Sequence, residues 1–134
     1  MLSVTMVHGR CPDTSVTQSV YDRGYITSPN YPSKYYMDAE CRWSVKVQRS
    51  QSIRVTLFDF ELDVKRGGHC YDFLEISSLD RLHFKDCGAL GKQVIDVDST
   101  SEALIVFRTG QTSLTQRGFL LFFEGQLFRL LLIV

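Results

Sequence analysis

Apolar and polar positions alternate with a period of two along much of this chain. Cys41, Trp43, Val45 and Val47 fall on one side of an extended segment and Arg42, Ser44 and Lys46 on the other, the pattern of a half-buried strand with Trp43 in its core. Ile53, Val55 and Leu57 repeat the rhythm against Arg54 and Thr56. Shorter runs at Tyr25 to Thr27, Cys70 to Ile76, Leu82 to Cys87, Gln93 to Val97, Ala103 to Arg108 and Gly118 to Glu124 are further strand candidates. Gly67-Gly68 interrupts the chain before Cys70, and Pro29 with Pro32 excludes a helix and fixes an extended, turning path between them. About eight short strands at regular spacing, without a sustained 3.6-residue stripe, predict an all-β antiparallel sandwich.

Composition narrows the setting. A chain of 134 residues with 44% hydrophobic content suits one domain with one core. Lys plus Arg and Asp plus Glu both number 15, so the charge balance asks for neither nucleic acid nor an anionic membrane surface as partner. The four cysteines, Cys11, Cys41, Cys70 and Cys87, lack the Cys-x2-Cys spacing of a zinc site. They allow three disulfide pairings, of which local closure favours Cys11 with Cys41 and Cys70 with Cys87. Two such bridges contribute roughly 3 to 4 kcal/mol each in the loop-entropy model and point to an oxidising compartment.

Several functional classes find no support. There is no Gly-x-Ser-x-Gly elbow and no Gly-rich phosphate loop, and bridged cysteines leave no thiol nucleophile, so the chain is not expected to be an enzyme. His8, His69 and His83 are scattered and suggest no metal site. The only asparagine, Asn30, precedes Tyr31-Pro32 and is no glycosylation acceptor. Residues 1–10 are expected to be a flank without a signal-peptide core, and 11–125 a single domain. The apolar tail 126–134 falls short of a bilayer span, shows no direct membrane insertion, and is expected to be truncated or to lie outside the domain.

Taken together, Cys11, Ser28-Pro29-Asn30-Tyr31-Pro32, Cys41-Arg42-Trp43, Phe58-Asp59-Phe60-Glu61, Cys70-Tyr71-Asp72-Phe73-Leu74-Glu75-Ile76, Cys87-Gly88 and Gly118-Phe119 resemble a CUB domain. The blocks keep the family's order from about Cys11 to Glu124. The resemblance implies a jelly-roll type sandwich of two antiparallel sheets, sequential disulfides, and an extracellular binding module of a larger secreted or cell-surface protein, with an extracellular protein ligand or receptor as partner.

Many members of that family carry calcium at one end of the sandwich. Transferring their ligand pattern assigns Tyr35, Glu61 and Asp72 as metal and partner-binding candidates, with Gly110 where a further aspartate is expected and Gln111, with its side-chain oxygen, beside it. Because Ca²⁺ takes six to eight oxygen ligands, this set makes a weak site at best. Lys65, Arg66 or Arg108 is a candidate to sit between Glu61 and Asp72 in place of the cation. The expected function is docking of a partner's basic side chain at this acidic end. The alternative is a structural, homophilic or carbohydrate-contacting CUB domain without a calcium site, suggested by Tyr31, Tyr35 and Tyr36 as an exposed aromatic cluster and by the apolar tail.

Overall fold

The computed structural model describes residues 7–8, 17–98, 100–111 and 115–127. Among these there is no helix, and eleven strands follow in order: β1 (Val7–His8), β2 (Thr17–Tyr21), β3 (Arg23–Thr27), β4 (Glu40–Lys46), β5 (Gln51–Glu61), β6 (Phe73–Ser77), β7 (Leu82–Asp86), β8 (Ala89–Leu90), β9 (Gln93–Val97), β10 (Glu102–Arg108) and β11 (Gly118–Leu127). One sheet runs β1-β3-β11-β5, with β8 and β9 both along the far edge of β5, and the other runs β2-β4-β10-β6-β7. The predicted all-β sandwich of two sheets is the observed architecture.

The alternation that predicted β4 is what builds the core. Cys41, Trp43 and Val45 are buried between the sheets while Arg42, Ser44 and Lys46 face outward. Facing them from the other sheet are Ile53, Val55, Leu57, Phe119, Leu121 and Phe123. Trp43 meets Phe119 edge-on at 6.2 Å between ring centroids, and Phe107 packs on Phe119 at 5.2 Å. Burying each such side chain contributes about 1.5 to 3 kcal/mol.

Three features depart from the sequence expectation. Two pairings, β1 with β3 and β2 with β4, are parallel, whereas the others are antiparallel. Strand β2 carries only Val20 as a buried residue, so its periodicity left no signal. The run from Cys70 does not begin a strand at the cysteine: Tyr71 and Asp72 lie in a bend and β6 starts at Phe73.

A fourth feature decides the geometry of the functional end. The register of β5 against β11 shifts between Leu120 and Leu121: Leu121 faces Leu57 and Leu120 faces Asp59, leaving Phe58 as an extra residue. Such a bulge reverses which parity points inward. Odd positions Ile53, Val55 and Leu57 are buried before it, and Phe60 and Leu62 after it, with Phe58 exposed.

The Cys70–Cys87 disulfide, with a Cα–Cα distance of 5.8 Å, closes the base of the β6–β7 hairpin, as expected. Cys41 is also disulfide-bonded, and Cys11 lies outside the described residues. We expect Trp43→Ala to lower stability by about 3 to 5 kcal/mol in urea denaturation. Gly118→Ala should also destabilise, by on the order of 2 kcal/mol, because Gly118 has φ 94° and an added Cβ would overlap Ser28 Oγ.

Candidate functional site

Antiparallel pairing gathers three connections at one end of the sandwich. Arg108 at the end of β10 pairs with Phe73 at the start of β6 and with Glu40 at the start of β4. In the other sheet, Glu61 at the end of β5 pairs with Gly118 at the start of β11. Residues 28–39, 62–72, 109–111 and 115–117 therefore meet. Thr109 stitches the first and last together: its N–H donates to Ala39 O at 2.9 Å, its hydroxyl donates to Tyr36 O at 2.7 Å, and it accepts from Ala39 N at 2.8 Å.

Of the candidate site residues, the structure brings Tyr35 and Asp72 together. The ring of Tyr35 is buried against Phe107, edge-on at 5.2 Å, and its hydroxyl donates to Asp72 Oδ2 at 2.7 Å. The other carboxylate oxygen of Asp72 accepts the Gly110 N–H at 2.6 Å. Asp72 is thus an internal acceptor with 1% of its surface exposed, not a solvated loop charge. The missing side chain at Gly110 is replaced, on the Asp72 side, by backbone.

Glu61 does not join this pair. The residue brought to Tyr35 is Asp63, whose N–H donates to the tyrosine hydroxyl at 3.0 Å. The bulge at Phe58 is the cause, since with Phe60 and Leu62 inward Glu61 faces away from the core. Asp63 is buried, and Arg66 closes on it with Nε 3.2 Å from Oδ2 and Nη2 3.2 and 3.1 Å from the two oxygens. The backbone of this segment is pinned from below, with Leu62 N donating to Gly88 O and Gly88 N to Asp63 O at 2.8 and 3.0 Å. Asp63 was missed because a glutamate was sought; its signal was position, two residues beyond Glu61 with Leu62 between them.

Glu61 belongs to a second cluster. Arg117 Nη1 lies 3.1 Å from Glu61 Oε2, and the Arg117 N–H donates to Glu61 Oε1 at 3.3 Å. The same guanidinium grips Asp59 at 2.7 and 2.6 Å, and the Tyr31 hydroxyl donates to Asp59 Oδ2 at 2.6 Å. The expectation that Lys65, Arg66 or Arg108 would bridge Glu61 and Asp72 is corrected: Arg117 takes Glu61, Arg66 takes Asp63, and Arg108 stands 3.8 Å from Glu40. Nor do the tyrosines form an exposed cluster. Tyr35 is buried, Tyr31 is half-buried on Asp59, and Tyr36 is exposed.

These donors fit calcium poorly. Both oxygens of Asp72 accept internal hydrogen bonds, those of Asp63 accept from a guanidinium, and Gly110 supplies no side chain. Calcium is a weak ligand here at most, since affinity follows the number of charged oxygens free to bind. Among the described residues, Cys70, Asp86 and Cys87 also lie close together, but their sulfurs are joined in the disulfide and leave one carboxylate.

A two-sheet domain held by disulfides is an extracellular module, because such bridges persist in oxidising surroundings. The CUB domain profile matches residues 11–123, and the chain belongs to the CUB domain family. It is 31% identical over 98 residues to cubilin from Rattus norvegicus, a match covering 72% of this chain and 3% of cubilin, so it spans a small part of that protein. Among solved structures it resembles the CUB1-EGF-CUB2 domains of rat MASP-1, with a TM-score of 0.75 and 21% identity over 83% of this chain and 43% of that one. The MASP-1 CUB2 domain bound to Ca²⁺ has a TM-score of 0.71 and 22% identity, covering 84% of this chain and 99% of that one. At these identities the structures speak to the fold. CUB domains are generally non-catalytic interaction modules.

Tyr35→Phe should leave the Asp63 N–H and Asp72 short of a partner and lower stability by about 1 to 3 kcal/mol, readable by thermal melts. A pH effect follows from the second cluster. The Arg117 guanidinium, helped by Tyr31, holds the Asp59 carboxyl below its usual 3.8. That stabilisation is present above pH 3.8 and lost as pH falls through the lower folded value. The melting-temperature difference between wild type and Asp59→Asn should therefore be largest near neutrality and shrink in acid. Burial, then the Asp59 carboxylate, pushes the Tyr31 hydroxyl up to about 12, so its ionisation should trail that of an ordinary tyrosine in a spectroscopic titration.

Proposed function

We propose that this domain recognises an extracellular protein partner through the end formed by residues 28–39, 62–72, 109–111 and 115–117, with a basic side chain of the partner received at Glu61. The observation that carries this reading is the exposed apolar rim there: Tyr36, Met37, Val64 and Tyr71 all project from these connections. Tyrosine and methionine are enriched at recognition surfaces because they offer large contact area together with adaptable packing. Glu61 retains 37% side-chain exposure while paired with Arg117, so a second cation can reach it. Asp72 and Tyr35 act beneath the rim, holding it in shape.

Catalysis is no part of the proposal. Ser78 Oγ lies 2.8 Å from His83 Nε2, but its neighbouring carboxylate, Asp80, meets the serine hydroxyl at 2.7 Å and does not orient the imidazole. A homophilic or carbohydrate-contacting domain without calcium is the second reading, favoured by the internal pairing of Asp59, Asp63 and Asp72.

The oxidised domain should be screened against an array of secreted and cell-surface ectodomains, and each binder retested with Tyr71→Ser, Glu61→Lys and, at the other end of β4, Lys46→Glu. We expect the first two to weaken binding by on the order of tenfold or more and the third to leave it intact. Binding that survives both loop-end changes, or self-association in sedimentation experiments with no ectodomain bound, would move the function away from this end.

A further inference from the structure

We infer that Arg66 is a built-in cation for this end of the sandwich, neutralising the buried Asp63 of the acidic connection so that the folded domain has no need of calcium. The inference concerns what orders the end and stands whether or not a partner docks there.

Three independent observations converge on it. The first is demand. Asp63 has a side chain only 7% exposed, and a carboxylate at that depth requires a counter-charge or several donors. Arg66 supplies both, with three contacts of 3.1 to 3.2 Å, and the Val64 N–H adds another donor to Oδ1 at 3.0 Å. A guanidinium fork on a carboxylate gives directional bonds that a loosely held ammonium does not.

The second is delivery. Arg66 N donates to His69 O at 2.9 Å and His69 N to Arg66 O at 3.2 Å, with Gly67 and Gly68 between them at φ 59° and 81°. Positive φ at both central residues is the geometry of a tight hairpin turn for which Gly-Gly is suited. Arg66 is three residues from Asp63 in sequence and its backbone is fixed by the turn, and the Cys70–Cys87 disulfide closes the same connection at its other end. The cation is therefore covalently tethered and locally preorganised.

The third is a reduced acidic count on the facing side. Gly110 contributes an N–H donor to Asp72 in place of a third carboxylate, although a Cβ there would meet nothing nearer than 3.6 Å. Space for a side chain exists and the acid is absent. Adding a guanidinium and lacking a carboxylate both lower the attraction for a dication, and a calcium ion would have to displace Arg66 to reach Asp63.

The test compares thermal melts of the oxidised wild type, Arg66→Ala and Arg66→Ala/Gly110→Asp in EDTA and in millimolar calcium chloride, with calorimetric calcium titration of each. We expect the wild type to melt at the same temperature in both buffers and to show no calcium heat. Arg66→Ala should melt lower in EDTA by on the order of 5 °C, and the double variant should regain stability on adding calcium. A wild type that is stabilised by calcium and weakened by EDTA, or an Arg66→Ala protein that melts with the wild type in EDTA, overturns the inference. If Arg66→Ala does not fold in EDTA, the need for Arg66 is shown and the wild-type titration decides the remainder.

Discussion

The hydroxyl of Tyr35 is the point on which this end of the domain depends. It donates to the Asp72 carboxylate, which precedes a strand of one sheet, and accepts from the Asp63 N–H, which follows a strand of the other. Its ring is at the same time part of the aromatic stack through Phe107 to Phe119 in the centre of the core. One side chain thus joins the packing of the sandwich to the polar arrangement at its tip. A buried acceptor such as Asp72 is tolerable only with its donors in place, so the position of the loops is coupled to the integrity of the core.

Around that point the charges are arranged in pairs. Asp63 is closed by Arg66, and Asp59 and Glu61 share Arg117. The two arginines differ in how they arrive. Arg66 comes from three residues away, at the start of a turn made by two glycines, whereas Arg117 comes from the residue just before β11, across a long stretch of chain. Both leave the acidic residues engaged within the molecule, and the exposed surface near them is apolar: Tyr36, Met37, Val64 and Tyr71.

Much of the fold was legible in residue order because alternation and burial are one fact in a sandwich. Trp43 between Cys41 and Val45 marked both a strand and its inward face, and the observed strand carries that pattern. What could not be read was a change of parity inside a strand. A bulge at Phe58 inserts one residue without a compositional mark, yet it turns Glu61 outward and leaves Asp63 to meet Tyr35. Pairings across many residues, such as Arg117 with Asp59, depend on register between strands and were equally hidden. The local Arg66 turn was within reach, since Gly67-Gly68 announces a tight hairpin and the arginine immediately precedes it.

Pairing at the tip has a kinetic corollary. Acids matched by arginines a few ångströms away form small dipoles whose fields fade quickly into the solvent, and the chain as a whole carries no formal net charge. Such a surface has little means of steering a partner from a distance. If a partner docks at this end as proposed, its encounters should proceed at the unassisted rate, roughly 10⁵ to 10⁶ M⁻¹s⁻¹, with weak dependence on ionic strength, and selectivity would rest on how long each complex survives.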